Sequence, residues 1–384
     1  MYIRAAYLNL WIISVMLGFA GVAVVNWWVD PLSMFPPKPV LETVAGYERE
    51  TKPWHVIESQ PSTILLGNSR NYHSLWIGQH QPDSYNFSVP GATINELLRA
   101  FEHALYHAPI KHVLVAADYI CDRENDGNLN YYSATPTEYA LSRVRRLGYL
   151  ISLNTLKKSL RVIVRSKPFR VLMQEDGSRA FFPYENLGAT QLQRVEKRES
   201  IRINRGLRQQ KRMDDTRQCR TESLRRIMVL AHQNNVKLSF FINPQQVRYV
   251  WLSSHFGRKL YGQQSKATLV SLNQEVADEF AADAPSIFDF QVFDKHTIEP
   301  FSAESMYWWE SSHYKPLLGD LMLNTMFSSS PSEFVFGVLL NETNINGELQ
   351  KQAAYYQHWQ SSNPEVVGAL KAKVKLASRQ GAAL

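Results

Sequence analysis

Thr63-Ile64-Leu65-Leu66 runs straight into Gly67-Asn68-Ser69-Arg70, a pattern that predicts a buried strand ending in a tight turn that presents one hydroxyl. Residues 83–89 predict a short second strand, closed by Pro90-Gly91-Ala92. Thr93 then opens a helix over 94–107, with Glu96 three residues on as in a capping box. Its Leu97, Leu98, Phe101, Ala104 and Leu105 share one face. Residues 111–119 are largely apolar, which predicts a third strand buried on both sides. Further on, 236–242 and 286–290 read as strands, and 224–234, 267–281 and 316–326 as helices. Strands alternating with helices at these spacings argue for a mostly parallel sheet covered on both faces.

The amino terminus follows a different pattern. Residues 5–29 carry no charge, and at about 1.5 Å per residue they exceed the ~30 Å hydrocarbon thickness of a bilayer. Trp27 and Trp28 close the run where an interfacial aromatic belt belongs, and Asn-Trp-Trp-Val-Asp makes a poor cleavage site. An uncleaved anchor is the preferred reading. Arg4 and the terminal amine favour an inside amino terminus, which puts the remaining chain outside the cytoplasm. Pro31, Pro36, Pro37 and Pro39 then suggest a stiff linker.

Composition adds one feature. At 45% hydrophobic, 12% aromatic and 20% charged the chain is globular, but its +7 charge is uneven. Residues 141–226 hold 22 Lys/Arg against 8 Asp/Glu, so the rest is net acidic. Such a segment is a solvated face or contacts anionic headgroups or an anionic polymer; no nucleic-acid fingerprint accompanies it. The expected organisation is an anchor (1–30), a linker (31–60), an α/β domain in two pieces (61–120 and 220–327), a basic, mostly helical insertion (121–219) and a tail (328–384). The tail's apolar run, 334–340, is too short to span a membrane. Cys121 and Cys219 lack zinc spacing, and an oxidising compartment would permit one disulfide between them. Nothing in the sequence signals a metal or organic cofactor.

The candidate chemistry is that of an activated serine. A hydroxyl needs an imidazole to take its proton, and the imidazole needs a carboxylate to fix its tautomer. Glu310 and His313, spaced i, i+3, would supply both if one helical turn brought them together. The Ser69 and Gly91 N–H groups are candidate oxyanion donors. Gly91 reads equally as a plain turn residue. Arg70 either binds an anionic substrate group or pairs with a buried carboxylate. Trp308 and Trp309 offer a sugar-stacking platform, or core packing. Asp294 and His296 form a rival acid–imidazole pair.

Three blocks in order, Gly67-Asn68-Ser69, then Gly91 in Val89-Pro90-Gly91-Ala92, then Glu310-Ser311-Ser312-His313, resemble the SGNH (GDSL-like) hydrolase superfamily. With the anchor, the linker and Leu-Gly-Asn-Ser-Arg, the chain looks like the membrane-anchored branch of bacterial cell envelopes. The resemblance implies a three-layer flavodoxin-like α/β domain on the outer side of the bacterial inner membrane. It also implies acyl-ester chemistry, such as O-acetylation, on an exported polysaccharide, often beside a membrane-bound O-acyltransferase. Two residues depart from the family pattern. Glu310 replaces its aspartate, and Asp118 stands where a neutral amide donor is expected, leaving Asn68 or Arg70 to complete the oxyanion hole. The alternative is therefore a catalytically degenerate domain that binds polysaccharide or docks on the acyltransferase.

Overall fold

The computed structural model describes residues 2–35, 42–44, 46–118, 129–164, 170–179, 190–210, 221–256, 259–301 and 305–382. Cys121, Cys219 and Tyr119 lie outside these residues. The strands are β1 (Glu42–Val44), β2 (Thr63–Leu66), β3 (Ser84–Asn86), β4 (His112–Ala116), β5 (Arg170–Leu172), β6 (Lys237–Ile242), β7 (Ser286–Asp289), β8 (Trp308–Glu310), β9 (His313–Tyr314) and β10 (Val338–Leu340). The helices begin with α1 (Tyr2–Val29), α2 (Glu48–Ser59), α3 (Ser69–Ser74), α4 (Ile94–His107), α5 (Pro136–Ile151), α6 (Leu153–Val164) and α7 (Gln191–Gln210). They continue with α8 (Thr221–Gln233), α9 (Val247–His255), α10 (Lys259–Phe280), α11 (Pro316–Phe327), α12 (Ile345–Ser362) and α13 (Pro364–Ala382).

The central sheet has the order β10-β7-β6-β4-β2-β3. All its pairings are parallel except that of β10 with β7. Strand alternation sends side chains to two cores. Ile64, Leu66, Val113, Val115 and Phe240 meet α4, α8 and α10 on one face. Leu65, Leu114, Phe241 and Phe288 meet α11, Trp308 and Tyr314 on the other. Leu65 is fully buried, a stabilisation of about 1.5–3 kcal/mol for such a side chain. Thr93 caps α4 as the sequence predicts, accepting from Glu96 N–H at 3.2 Å.

Two segments depart from expectation. The stretch 31–60 is no free linker where it is described. Leu32 and Met34 are buried against Trp54, and α2 buries Lys52, whose Nζ donates to the Asn86 and Ser88 carbonyls at 2.7 Å each. The tail joins the domain. Its apolar run supplies the antiparallel edge strand β10, and α12 and α13 pack with Trp251 and Leu252 of α9. At the other end, α1 holds one run, Ala6–Val29, long and apolar enough to cross a membrane, with mean hydropathy 2.2.

Candidate active site

Ser69 emerges from the carboxyl end of β2, next to the point where the strand order reverses, the usual ligand position in open α/β sheets. The turn is fixed by reciprocal capping. Asn68 Oδ1 accepts from Arg70 N–H, and Asn71 Oδ1 accepts from Asn68 N–H, both at 3.0 Å. Asn68 is thus the N-cap and Ser69 the first helical residue, so the hydroxyl is not consumed in capping. Ser69 N–H is one of the amides a helix leaves without an intrahelical carbonyl. Gly67 must be glycine here, because a Cβ would overlap the Asn71 side chain.

Ser69 Oγ lies 3.0 Å from His313 Nε2. His313 Nδ1 is in turn hydrogen-bonded to Glu310 Oε1. The pair does not sit on a helical turn. Glu310 ends β8, His313 begins β9, and the two are paired across a turn made by Ser311 and Ser312. Ser312 N–H and Oγ donate to Glu310 at 2.8 and 2.9 Å, so the carboxylate is held from both sides. His313 and Glu310 are 7% and 1% exposed.

The basic segment reaches this site from outside the two pieces expected to form the α/β domain. Arg198 of α7 donates from Nε to Glu310 Oε1 at 3.1 Å, and its Nη2 stands 2.9 Å from His313 Nδ1. Guanidinium cannot accept a proton, so the two contacts are alternatives for the imidazole. When Nδ1 carries hydrogen towards Glu310, Nε2 is the acceptor for Ser69. When Nδ1 accepts from Arg198, Nε2 becomes a donor. Helix α7 is held by buried Glu199, which pairs with Arg248 at 2.7 Å and Lys373 at 3.0 Å.

Burial is the largest single influence on the Glu310 carboxyl and pushes its pKa up. His313, Arg198 and the Ser312 N–H together outweigh it and bring the carboxyl down to about 2. Burial, followed by the Arg198 and Arg70 charges, moves His313 below its ordinary value despite the opposing pull of Glu310. The imidazole is therefore neutral at pH 7 and able to take a proton.

Asp118 is a buried anchor, its side chain 2% exposed. Its oxygens accept from Asn243 N–H at 2.7 Å, Asn243 Nδ2 at 2.7 Å and Asn68 Nδ2 at 3.0 Å, with Arg70 Nη1 at 3.5 Å. Asp118 thus orients the Asn68 amide, which keeps a second N–H. Asn243, at the end of β6, was not singled out from the sequence; its only signal there was a strand ending in Asn-Pro.

The other candidates separate clearly. Arg70 is 5% exposed, with Nε on the Ser312 carbonyl at 3.0 Å, so it ties α3 to the β8–β9 hairpin. Trp308 is fully buried, its indole N–H on the His296 carbonyl at 2.7 Å; it is a core residue and no stacking platform. Trp309 is half-buried, with Lys315 Nζ 5.1 Å from its ring centre. Gly91 is exposed at φ +71°, and a Cβ there would meet nothing, so backbone conformation rather than crowding calls for glycine. Val89 N–H bonds the Gly67 carbonyl at 3.1 Å, which keeps the Gly91 loop at the same end of the sheet as Ser69. The rival His296 is paired with Asp294 at 2.7 Å, but it packs against Tyr307 and Phe336 and, among the described residues, meets no serine hydroxyl. Edge-on to His313 lies His73, with ring centres 5.8 Å apart. Among the described residues no group of three metal-ligating side chains forms. No protein-family model matches this sequence, and no curated protein or solved structure matches it either.

Proposed function

We propose that the protein is a membrane-anchored serine acyl-esterase or O-acetyltransferase of SGNH-like type, acting outside the cytoplasm on an exported cell-envelope polysaccharide. The observation that carries this reading is the continuous line Ser69 Oγ, His313, Glu310, delivered by two distant parts of the chain, the turn after β2 and the β8–β9 hairpin. The order of the five parallel strands, second-first-third-fourth-fifth, supports a flavodoxin-like domain. In the proposed reaction His313 Nε2 takes the Ser69 proton as Oγ attacks an ester carbonyl. The Ser69 N–H, the spare Asn68 N–H and Gly91 N–H would receive the developing oxyanion. His313 then protonates the departing alcohol, leaving an acyl-Ser69. Water completes hydrolysis, and a sugar hydroxyl completes transfer. The anchor would set the domain beside a membrane-bound O-acyltransferase as acyl donor.

One observation favours a second reading. Arg198 competes with Glu310 for His313 Nδ1, and a dominant Arg198 contact would leave Ser69 unactivated, a binding or scaffolding domain. Fluorophosphonate labelling of the full chain in detergent decides between them. The enzyme reading expects rapid labelling and aryl-acetate turnover, both abolished by Ser69→Ala with folding retained. Unlabelled wild-type serine, or turnover that survives Ser69→Ala, rules it out.

A further inference from the structure

The hairpin of α5 and α6 carries an apolar face that none of the described residues covers. On α5, Leu141, Val144, Leu147 and Ile151 recur at helical spacing and are 52–67% exposed. On α6, Leu153, Leu160, Ile163 and Val164 are 49–79% exposed. Between residues 139 and 164 there is no acidic residue. Arg143, Arg145, Lys157 and Arg161 are exposed beside the apolar stripes, while Arg146 turns inward over the Phe35 and Trp54 rings. A broad apolar face edged by cations is the signature of a helix lying in an anionic lipid interface.

What fixes the occupant is the attachment. Both helices pack on α1, where Val22, Ala23, Val25 and Asn26 lose exposure. Asn26 Nδ2 donates to the Leu150 carbonyl at 2.7 Å and the Ser152 carbonyl at 3.1 Å, and Asn26 Oδ1 accepts from Ser159 Oγ at 2.9 Å. One amide thus clasps the turn of the hairpin to the last turn of the apolar run, at the level of Trp27 and Trp28. A hairpin fastened there cannot leave the interface unless α1 does.

We infer that α5–α6 is a second bilayer contact, its apolar face among the acyl chains and its cations at anionic headgroups. The inference rests on α1 spanning the membrane. It is tested on the full chain in nanodiscs of phosphatidylethanolamine and phosphatidylglycerol, with Cys121 and Cys219 changed to serine. Single nitroxide labels go at Val144, Ile151 or Ile163, with Leu17 as the span reference and Thr137 as the aqueous one. The logarithm of the oxygen-to-nickel collision ratio is expected positive at the three test sites and at Leu17, and negative at Thr137. Replacing phosphatidylglycerol by phosphatidylcholine should lower it at Val144 and not at Leu17; no change there removes the anionic-lipid part of the inference. A negative ratio at Val144 and Ile163 with a positive one at Leu17 overturns the inference, as do low collisions with both reagents, which mean cover by protein. A negative ratio at Leu17 instead overturns the span. Where the serine background fails to fold, p-benzoylphenylalanine at Val144 in the unaltered chain gives the same answer. A phospholipid adduct supports the inference, and a protein adduct or none overturns it.

Discussion

Replacing Arg198 by methionine keeps the length of the side chain and removes its charge, so it isolates what the basic segment does to the imidazole. Arg198 touches both His313 and Glu310, which places charge centres about 4 Å apart. At that separation a unit charge is worth about 1 kcal/mol in water and about 4 kcal/mol at an effective dielectric near 20. The Arg198 side chain is 29% exposed, so solvent screening favours the lower part of that range. Removal should therefore raise His313, whose pKa that charge helps to hold down. The sign follows from the active form. Neutral His313 takes the serine proton, so rate falls as pH drops through its pKa, and a higher pKa moves that acid limb to higher pH. The measurement is kcat/KM for an aryl acetate against pH, or the second-order rate of fluorophosphonate labelling, in wild type and Arg198→Met. Arg198→Lys, which keeps charge without the planar fork, should fall between them. An unmoved limb, or one displaced to lower pH, would show that Arg198 does not act on His313 through its charge.

Four other outcomes follow from the same geometry. Glu310→Gln replaces an acceptor-only carboxylate by a neutral amide whose NH2 can donate to His313 Nδ1 and fix the wrong tautomer, and turnover should fall about 10³–10⁴-fold in a single-substrate assay with the fold unchanged. Gly67→Ala drives a Cβ into Asn71 and breaks the reciprocal cap, costing about 1–3 kcal/mol in denaturant titration and removing Ser69 labelling. Lys52→Met strands the Asn86 and Ser88 carbonyls without their donor, and thermal melts should report a loss of about 2–4 kcal/mol. Burial holds His103 near pKa 3 and His55 and His112 near 4, so all three fold neutral yet protonate near 6.5 when unfolded. Their contribution is complete above about pH 6.5 and is lost as pH falls towards 3–4, with a slope approaching about 4 kcal/mol per pH unit that pH-dependent melts would reveal.

How much was legible in the sequence depended on how local the governing signal was. Strand periodicity, the Thr93–Glu96 cap and the turn after β2 depend on neighbours, and the structure places them where those neighbours imply. The Glu310–His313 contact was expected from a helical turn and arises from a hairpin instead. Three residues of separation bring side chains together in either geometry, so spacing alone does not tell them apart. Helix α2 was hidden by its polar composition, its internal Pro53 and the prolines before it; its burial comes from carbonyls more than thirty residues away. Arg198 was harder still. One arginine among 22 basic residues carries no local mark of lying against a carboxylate 112 residues further on. Asp118 looked like a misplaced charge because its three amide donors come from the turn after β2 and the end of β6.

The short helix bearing the hydroxyl is bolted to the hairpin bearing the acid and the base. Arg70 reaches the Ser312 carbonyl, Ser74 Oγ the Tyr314 carbonyl, and Gly319 of α11 sits so close to Ser74 that any side chain there would strike its carbonyl oxygen. Nucleophile and relay are thus parts of one rigid block, ready before any substrate arrives.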